Sequence, residues 1–368
     1  MKLKNILAVT LALACAQSSF AQYKYEFTKV KVNPVTSVKN QASTGTCWCF
    51  ATTSFIEAEL LRMGKGEYDL SEMYVVRKNY DLRMADNYLR RGKGNIGQGS
   101  VSHMFTKIMD EYGLLPEEVY SGINYDSPTH NHRDLTGYIK VLSEHSVAQK
   151  KRIPAELQDG LFDAYLGKLP EKFTYKGKEY TAKSFYESLG LKASDYVEIT
   201  SFSHHPFYSM IPVEIPDNWD HALYYNVPLN ELIEIMDYAI NNGYTIAWDG
   251  DVSEKGFMFG EHVALLTKED LRKEGIKERV KEDPVTQESR QAGFESFVTT
   301  DDHLMHVTGI VKDQEGAKYY VTKNSWGEGR NGDGYLNMSE NYVKAKTIGI
   351  MIHKNAIPKA IKAKLNIK

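Results

Sequence analysis

Apolar side chains first recur at helical spacing just after residue 47, where Phe50, Ala51, Phe55, Ala58 and Leu61 fall on one stripe that ends at Gly64. The preceding stretch, 33–46, reads as loop, punctuated by Pro34, Asn40 and Gly45, with Thr44 and Thr46 as potential helix caps. Further helical patterns cover 69–91 and 101–112, on either side of a glycine-rich loop at 92–99. From about 126 to 240 the pattern is mixed and largely helical, with polar loops whose His130, His132, His204 and His205 are expected at the surface. A helix from Leu229 ends at Gly243, and strand patterns follow at 244–248, 303–311 and 318–322. The charge-dense stretch 269–295 predicts a solvated helix or a flexible excursion, and 357–368 is basic and marginally amphipathic.

The first residues carry a different pattern. Lys2 and Lys4 precede an apolar run from Ile6 to Ala14 that is too short to span a bilayer, which predicts a signal peptide. Ser19-Phe20-Ala21 places cleavage after Ala21, and Ala12-Leu13-Ala14-Cys15 offers an imperfect lipoprotein box as the alternative. The expected location is therefore periplasmic or secreted. The formal net charge is -3, which gives no electrostatic case for a nucleic-acid partner. Cysteine is scarce, with 3 in all; once Cys15 leaves with the leader, Cys47 and Cys49 stand too close in sequence to be bridged without severe strain. The fold must rest on packing, and Cys47 is free to act as a reagent.

A thiol in the first turn of a helix is favoured as thiolate by the unpaired N–H groups and the macrodipole, which makes Cys47 a candidate nucleophile. Cys49, two residues on, points roughly 200° away in a helix, so it reads as core and not as half of a redox pair. Of the 11 histidines, His262 and His303 lie in contexts suited to a base. A zinc site from His303 and His306 is weakly supported because residues three apart on a strand face opposite sides; His306 is expected to find backbone or surface partners. The glycine-rich loop at 94–99 lacks the Lys-Ser/Thr of a phosphate cradle and reads as cleft wall. No metal or cofactor is expected.

The segment Gln41-Ala42-Ser43-Thr44-Gly45-Thr46-Cys47-Trp48-Cys49-Phe50 resembles the nucleophile segment of papain-like cysteine peptidases. His303 to Gly309, followed one hairpin later by Asn324-Ser325-Trp326-Gly327, is similar to that family's histidine strand and asparagine turn, and this register favours His303 over His262. The resemblance implies Cys47 as nucleophile, His303 as base, Asn324 as its orienter, Gln41 as a side-chain oxyanion donor, Trp326 as a shield and Gln98 as a substrate contact. Thr44 stands where secreted endopeptidases of the family usually carry a cysteine. With Leu70-Ser71-Glu72-Met73-Tyr74, Gly97-Gln98-Gly99, Tyr112-Gly113-Leu114-Leu115-Pro116 and Ile246-Ala247-Trp248-Asp249-Gly250-Asp251-Val252 in family order, this points to the aminopeptidase C and bleomycin hydrolase branch.

That branch implies an α+β, papain-like two-lobe fold: a helical lobe (22–125), a largely helical insertion (126–240), and an antiparallel β-sheet or barrel lobe with the C-terminal tail (241–368). It also implies a thiol aminopeptidase acting on peptides, a C-terminal arm that blocks part of the cleft, and a homo-hexamer with an inner chamber. The basic C-terminus is unlike that arm. An endopeptidase on the same residues and an inactive binding scaffold are the competing functions, the second opposed by the presence of Gln41, Cys47, His303 and Asn324 together.

Overall fold

The computed structural model describes residues 24–368, so the leader reading of 1–21 lies outside the described residues. Strand β1 (Thr28–Val32) leads into a loop and then helix α1 (Cys47–Arg62). This helix is buried nearly all round, including Thr52, Thr53, Glu57 and Glu59. It lies between helices α2 (Glu72–Leu89) and α3 (Ser102–Tyr112) on one side and the β lobe on the other. The apolar stripe therefore understates its burial, because the second face meets a polar seam. Neither expected threonine cap forms: the Thr46 hydroxyl meets that of Thr44 at 2.6 Å and bonds no helix N–H. Ser71, in contrast, caps α2 by accepting from the Tyr74 N–H.

The stretch that follows supplies α4 (Arg133–Ala148), α5 (Ala155–Leu166), a hairpin of β2 (Phe173–Tyr175) and β3 (Lys178–Tyr180), and α6 (Ala182–Leu189). It then adds β4 (Tyr196–Thr200), β5 (Met210–Pro212) and β6 (Leu223–Asn226), which join the main sheet at one edge. After α7 (Leu229–Asn241) come β7 (Ile246–Gly250), β8 (Phe257–Met258), β9 (Val263–Ala264), α8 (Leu271–Glu274), α9 (Gln287–Glu295), β10 (His303–Lys312), β11 (Lys318–Lys323), β12 (Tyr335–Ser339), α10 (Glu340–Lys346), β13 (Thr347–His353) and α11 (Lys359–Leu365).

Among the described residues the main sheet has 11 strands in the order β5-β6-β4-β13-β7-β10-β11-β12-β9-β8, with β1 on the far end of β10. It is mostly antiparallel, as expected, but β4/β6 and β12/β9 pair in parallel. Strand β10 is the hub: it pairs with β7 and β11, packs on α1, and its distal half meets β1. Gly309 makes that last contact possible, since a Cβ there would lie 2.6 Å from the Lys31 carbonyl oxygen.

The two lobes meet across a polar seam. Glu57 on α1 accepts from the Thr36 hydroxyl at 2.6 Å, the Leu70 N–H at 2.8 Å and the Lys39 ammonium at 3.3 Å. Lys323 donates to the Thr36 carbonyl at 2.9 Å and to Ser54 Oγ at 2.8 Å, and Ser54 Oγ lies 2.8 Å from His306 Nδ1. His306 thus departs from expectation: it is fully buried, its partner is a serine of the other lobe, and burial with the nearby Lys323 charge holds the imidazole well below its usual pKa.

His130 and His132 are also buried, not exposed. The His132 ring nitrogen meets Tyr80 Oη at 2.9 Å, His130 packs edge-on to Phe50, and burial pushes the two imidazoles to about 3 and about 4 respectively. His204 is exposed and His205 partly so, in line with the expectation. The charge-dense stretch is more anchored than its composition suggests, because α9 buries Arg290, which donates to the Ser201 and Lys344 carbonyls. At the C-terminus Ile361 and Leu365 pack into the β-lobe core, and Lys364 pairs with Glu231 of α7.

Candidate active site

Cys47 is the first residue of α1, placed by a loop fixed at several points. Gln98 holds it from the glycine-rich side: its Oε1 accepts from the Gly45 N–H at 2.7 Å, and its carbonyl accepts from Trp48 Nε1 at 2.9 Å. Its Nε2 donates to Thr136 Oγ1 at 3.4 Å, so the side chain expected to touch substrate is engaged in positioning the nucleophile loop. Cys49 is core, fully buried, with its thiol donating to the Glu72 carbonyl at 3.2 Å. Both cysteines are free.

The thiol of Cys47 accepts from the backbone N–H of Leu304, the residue after His303. A residue at one end of α1 is thereby set against the first residues of β10, on the far lobe. His303 Nε2 lies 2.7 Å from Asn324 Oδ1, which also accepts the Ser325 N–H at 2.7 Å. Since that oxygen only accepts, the imidazole proton sits on Nε2 and Nδ1 is left as the basic nitrogen. The Trp326 ring lies 4.9 Å from the imidazole, centroid to centroid, and covers the histidine–asparagine bond. Gln41 is fixed by accepting from Ser325 Oγ at 2.7 Å and donating to the Thr44 carbonyl at 2.7 Å, which leaves one of its two amide hydrogens free.

His262 stands elsewhere. Its Nδ1 faces the Tyr335 carbonyl at 3.1 Å and Asp333 at 3.3 Å, and the side chain is partly exposed.

The electrostatics differ from the expected thiolate. Cys47 is 9 % exposed and His303 4 %. Burial pushes the thiol up to about 12, against the pull of the Leu304 N–H and with a further push from the carboxylates of Asp301, Asp217 and Asp249. Burial likewise brings the imidazole down to about 4, opposed by its bond to Asn324 and the charge of Asp302. Between those values the resting pair is thiol plus neutral imidazole. The helix N-terminus does not reverse this, because desolvation dominates at the sulfur and the nearby acids add to it.

The three carboxylates went unnoticed in the sequence. The signal was present in part: Asp249 interrupts an apolar strand run, Ile246-Ala247-Trp248, and Asp301-Asp302 directly precedes the histidine. Asp217 lies in the inserted stretch, where no periodicity points to the cleft.

A thiol at the head of a buried helix, facing a histidine strand across two lobes of this topology, defines a cysteine peptidase of papain architecture. Residues 164–368 match the peptidase C1-like family and residues 22–181 match the papain family of cysteine proteases. The chain belongs to the peptidase C1-like family. It is 24 % identical to the mitochondrial cysteine proteinase 1 of Saccharomyces cerevisiae, across 92 % of this chain and 79 % of the yeast protein. It is 21 % identical to aminopeptidase C of Lactobacillus helveticus, across 91 % and 85 % of the two chains, and 23 % identical to that of Lactococcus lactis subsp. cremoris, across 92 % and 84 %. The crystal structure of PepW from Lactobacillus rhamnosis has the same fold, with a TM-score of 0.68 at 17 % identity over 92 % of this chain and 84 % of that one.

Proposed function

We propose that this cysteine peptidase is an exported aminopeptidase that removes residues from the N-terminus of peptides through Cys47, His303 and Asn324. The observation that carries the assignment is the junction of α1 and β10, where the Leu304 N–H reaches the Cys47 thiol while the adjacent His303 is held by Asn324.

The reaction follows from that geometry. His303 Nδ1 takes the thiol proton as the sulfur bonds to the peptide carbonyl carbon. The oxygen gains the negative charge and is met by the Cys47 N–H, which opens the helix and so has no intrahelical acceptor, and by the free amide hydrogen of Gln41. The imidazolium protonates the departing amine, the C–N bond breaks, and a thioester remains. Water, deprotonated by His303, then cleaves the thioester and returns the thiol. A neutral Asn324 suits this cycle because it orients the imidazole while favouring its charged form far less than a carboxylate would, so the resting histidine stays unprotonated at neutral pH.

The aminopeptidase reading is supported by the aminopeptidase C relatives. It is tested by comparing leucine 7-amido-4-methylcoumarin with its N-acetyl form: the free substrate should be cut and the blocked one spared. Equal cleavage of both would make the enzyme an endopeptidase. Export rests on residues 1–21 and is read by fractionating the source cells; the hexamer rests on the family resemblance and is read by light scattering.

A further inference from the structure

Beside the nucleophile lies a pair of acids, Asp249 and Asp301, that no cation among the described residues pairs with. On β7, Asp249 sits opposite Leu304 of β10, so its side chain shares the face of the sheet that Leu304 presents to the helical lobe. Asp249 is 5 % exposed, and neither of its carboxylate oxygens has a hydrogen-bond donor among the described residues. Its one partner is the carboxyl of Asp301, to which it is hydrogen-bonded as the protonated member of the pair. The charges acting on Asp249 are those of Asp301, Glu198 and Asp217, all acidic. Asp217 is paired with Arg83 at 3.7 Å, and the same carboxylates act on the Cys47 sulfur.

Two facing carboxyls in such a setting do not both ionise: burial and the neighbouring acid hold Asp249 well above the carboxylate range, and the pair rests on a shared proton until a cation joins it. We propose that Asp249 and Asp301, with Asp217 at their rim, form a subsite for an ammonium group of the substrate on the N-terminal side of the scissile bond. This deepens the aminopeptidase reading and rests on it for the choice of source, which is the α-ammonium. The inserted segment favours that source: Asn95 Nδ2 donates to the Pro216 carbonyl at 2.7 Å, and Asp217 stands so close over Gly99 that a Cβ there would overlap its carboxylate. A longer peptide would run into this wall, whereas a terminal amine ends at the acids. Burial and the Asp217 charge already hold Asp301 up to about 7, and an incoming cation relieves that strain.

The test is a ratio across paired substrates in wild type, Asp249→Asn and Asp301→Asn. One pair is free and N-acetylated leucine 7-amido-4-methylcoumarin; the other is acetyl-lysyl-leucyl and acetyl-norleucyl-leucyl coumarin amide. Each variant should lower kcat/KM for the charged member roughly tenfold to a hundredfold more than for its neutral partner, the effect of one contact to a charged group. A selective loss on the free amine assigns the α-ammonium; a selective loss on the lysyl substrate alone keeps the cation subsite but assigns its source to a side chain. Equal losses within both pairs overturn the subsite, even if wild type still prefers the free amine and the aminopeptidase reading stands. If wild type cuts free and blocked leucine alike, the aminopeptidase reading fails and the lysyl pair alone decides the subsite. Because Asn could perturb folding, a second measurement uses wild type only: leucinamide should inhibit competitively and N-acetyl-leucinamide should not, and equal inhibition by the two counts against the proposal.

Discussion

Asn324→Asp isolates the electrostatic role of the orienter. The replacement is isosteric, keeps an acceptor 2.7 Å from His303 Nε2 and from the Ser325 N–H, and loses no bond at the other atom, because Asn324 Nδ2 has no partner among the described residues. What changes is charge. A carboxylate whose centre lies about 4 Å from that of an imidazolium stabilises it by about 4 kcal/mol at an effective dielectric of about 20, or about 3 pKa units. The histidine now sits at about 4, pulled down by burial. A raised pKa keeps the imidazole protonated to higher pH, so the base is lost first on the acid side. The acid limb of kcat/KM should move from near pH 4 to roughly pH 7 in Asn324→Asp, with the largest absolute loss midway, at about pH 5.5. A pH profile on a free amino-acyl coumarin substrate, with the His303 imidazole followed by NMR in the Cys47→Ala background, measures both ends of the argument. An acid limb that stays within half a unit of wild type, roughly the scatter of such fits, would refute the assignment of His303 and Asn324 as the titrating pair.

Cys47→Ala should abolish turnover and Cys49→Ala should keep most of it; labelling with an epoxide thiol inhibitor followed by peptide mapping should mark Cys47 alone. Lys323, 4 % exposed, is lowered by burial from 10.5 to about 8, so wild type should gain stability as pH rises through that window. The lysine penalises folding by about 3 kcal/mol below pH 8, where both states are charged, and not above 10.5; Lys323→Met should flatten this part of the Tm-versus-pH curve. Gly309→Ala should cost about 1–3 kcal/mol in urea unfolding by driving β1 off β10. Gln98→Ala should lower kcat about tenfold with little change in KM, because it frees the Gly45 loop without removing a substrate contact.

The chemistry was legible where residues that act together are also close in sequence. The run Gln41 to Phe50 carries the nucleophile, its oxyanion donor and the helix start within ten positions, and His303 to Trp326 spans one hairpin, so both could be read as units. The large sheet was less legible, because β4 and β6 are short and separated by loops, and their pairing is a long-range choice that local periodicity does not encode. Burial of His130, His132 and His306 was misjudged for one reason: a histidine in a polar or strand context says nothing about the helix that will cover it. The thiolate expectation meets a similar opposition. The helix position of Cys47 is local and readable, whereas Asp217, Asp249 and Asp301 reach it only through the fold.

The meeting of α1 with β10 has a consequence for the order in which the enzyme comes into being. Synthesis delivers the sulfur early and its base more than two hundred and fifty positions later, and domains of this kind fold as their last strands arrive. A ribosome-bound fragment ending before β10 carries a thiol with nothing to deprotonate it, and α1 with one flank bare. Proteolytic power is thus withheld from the unfinished chain by topology, and is conferred in the same event that closes the sheet.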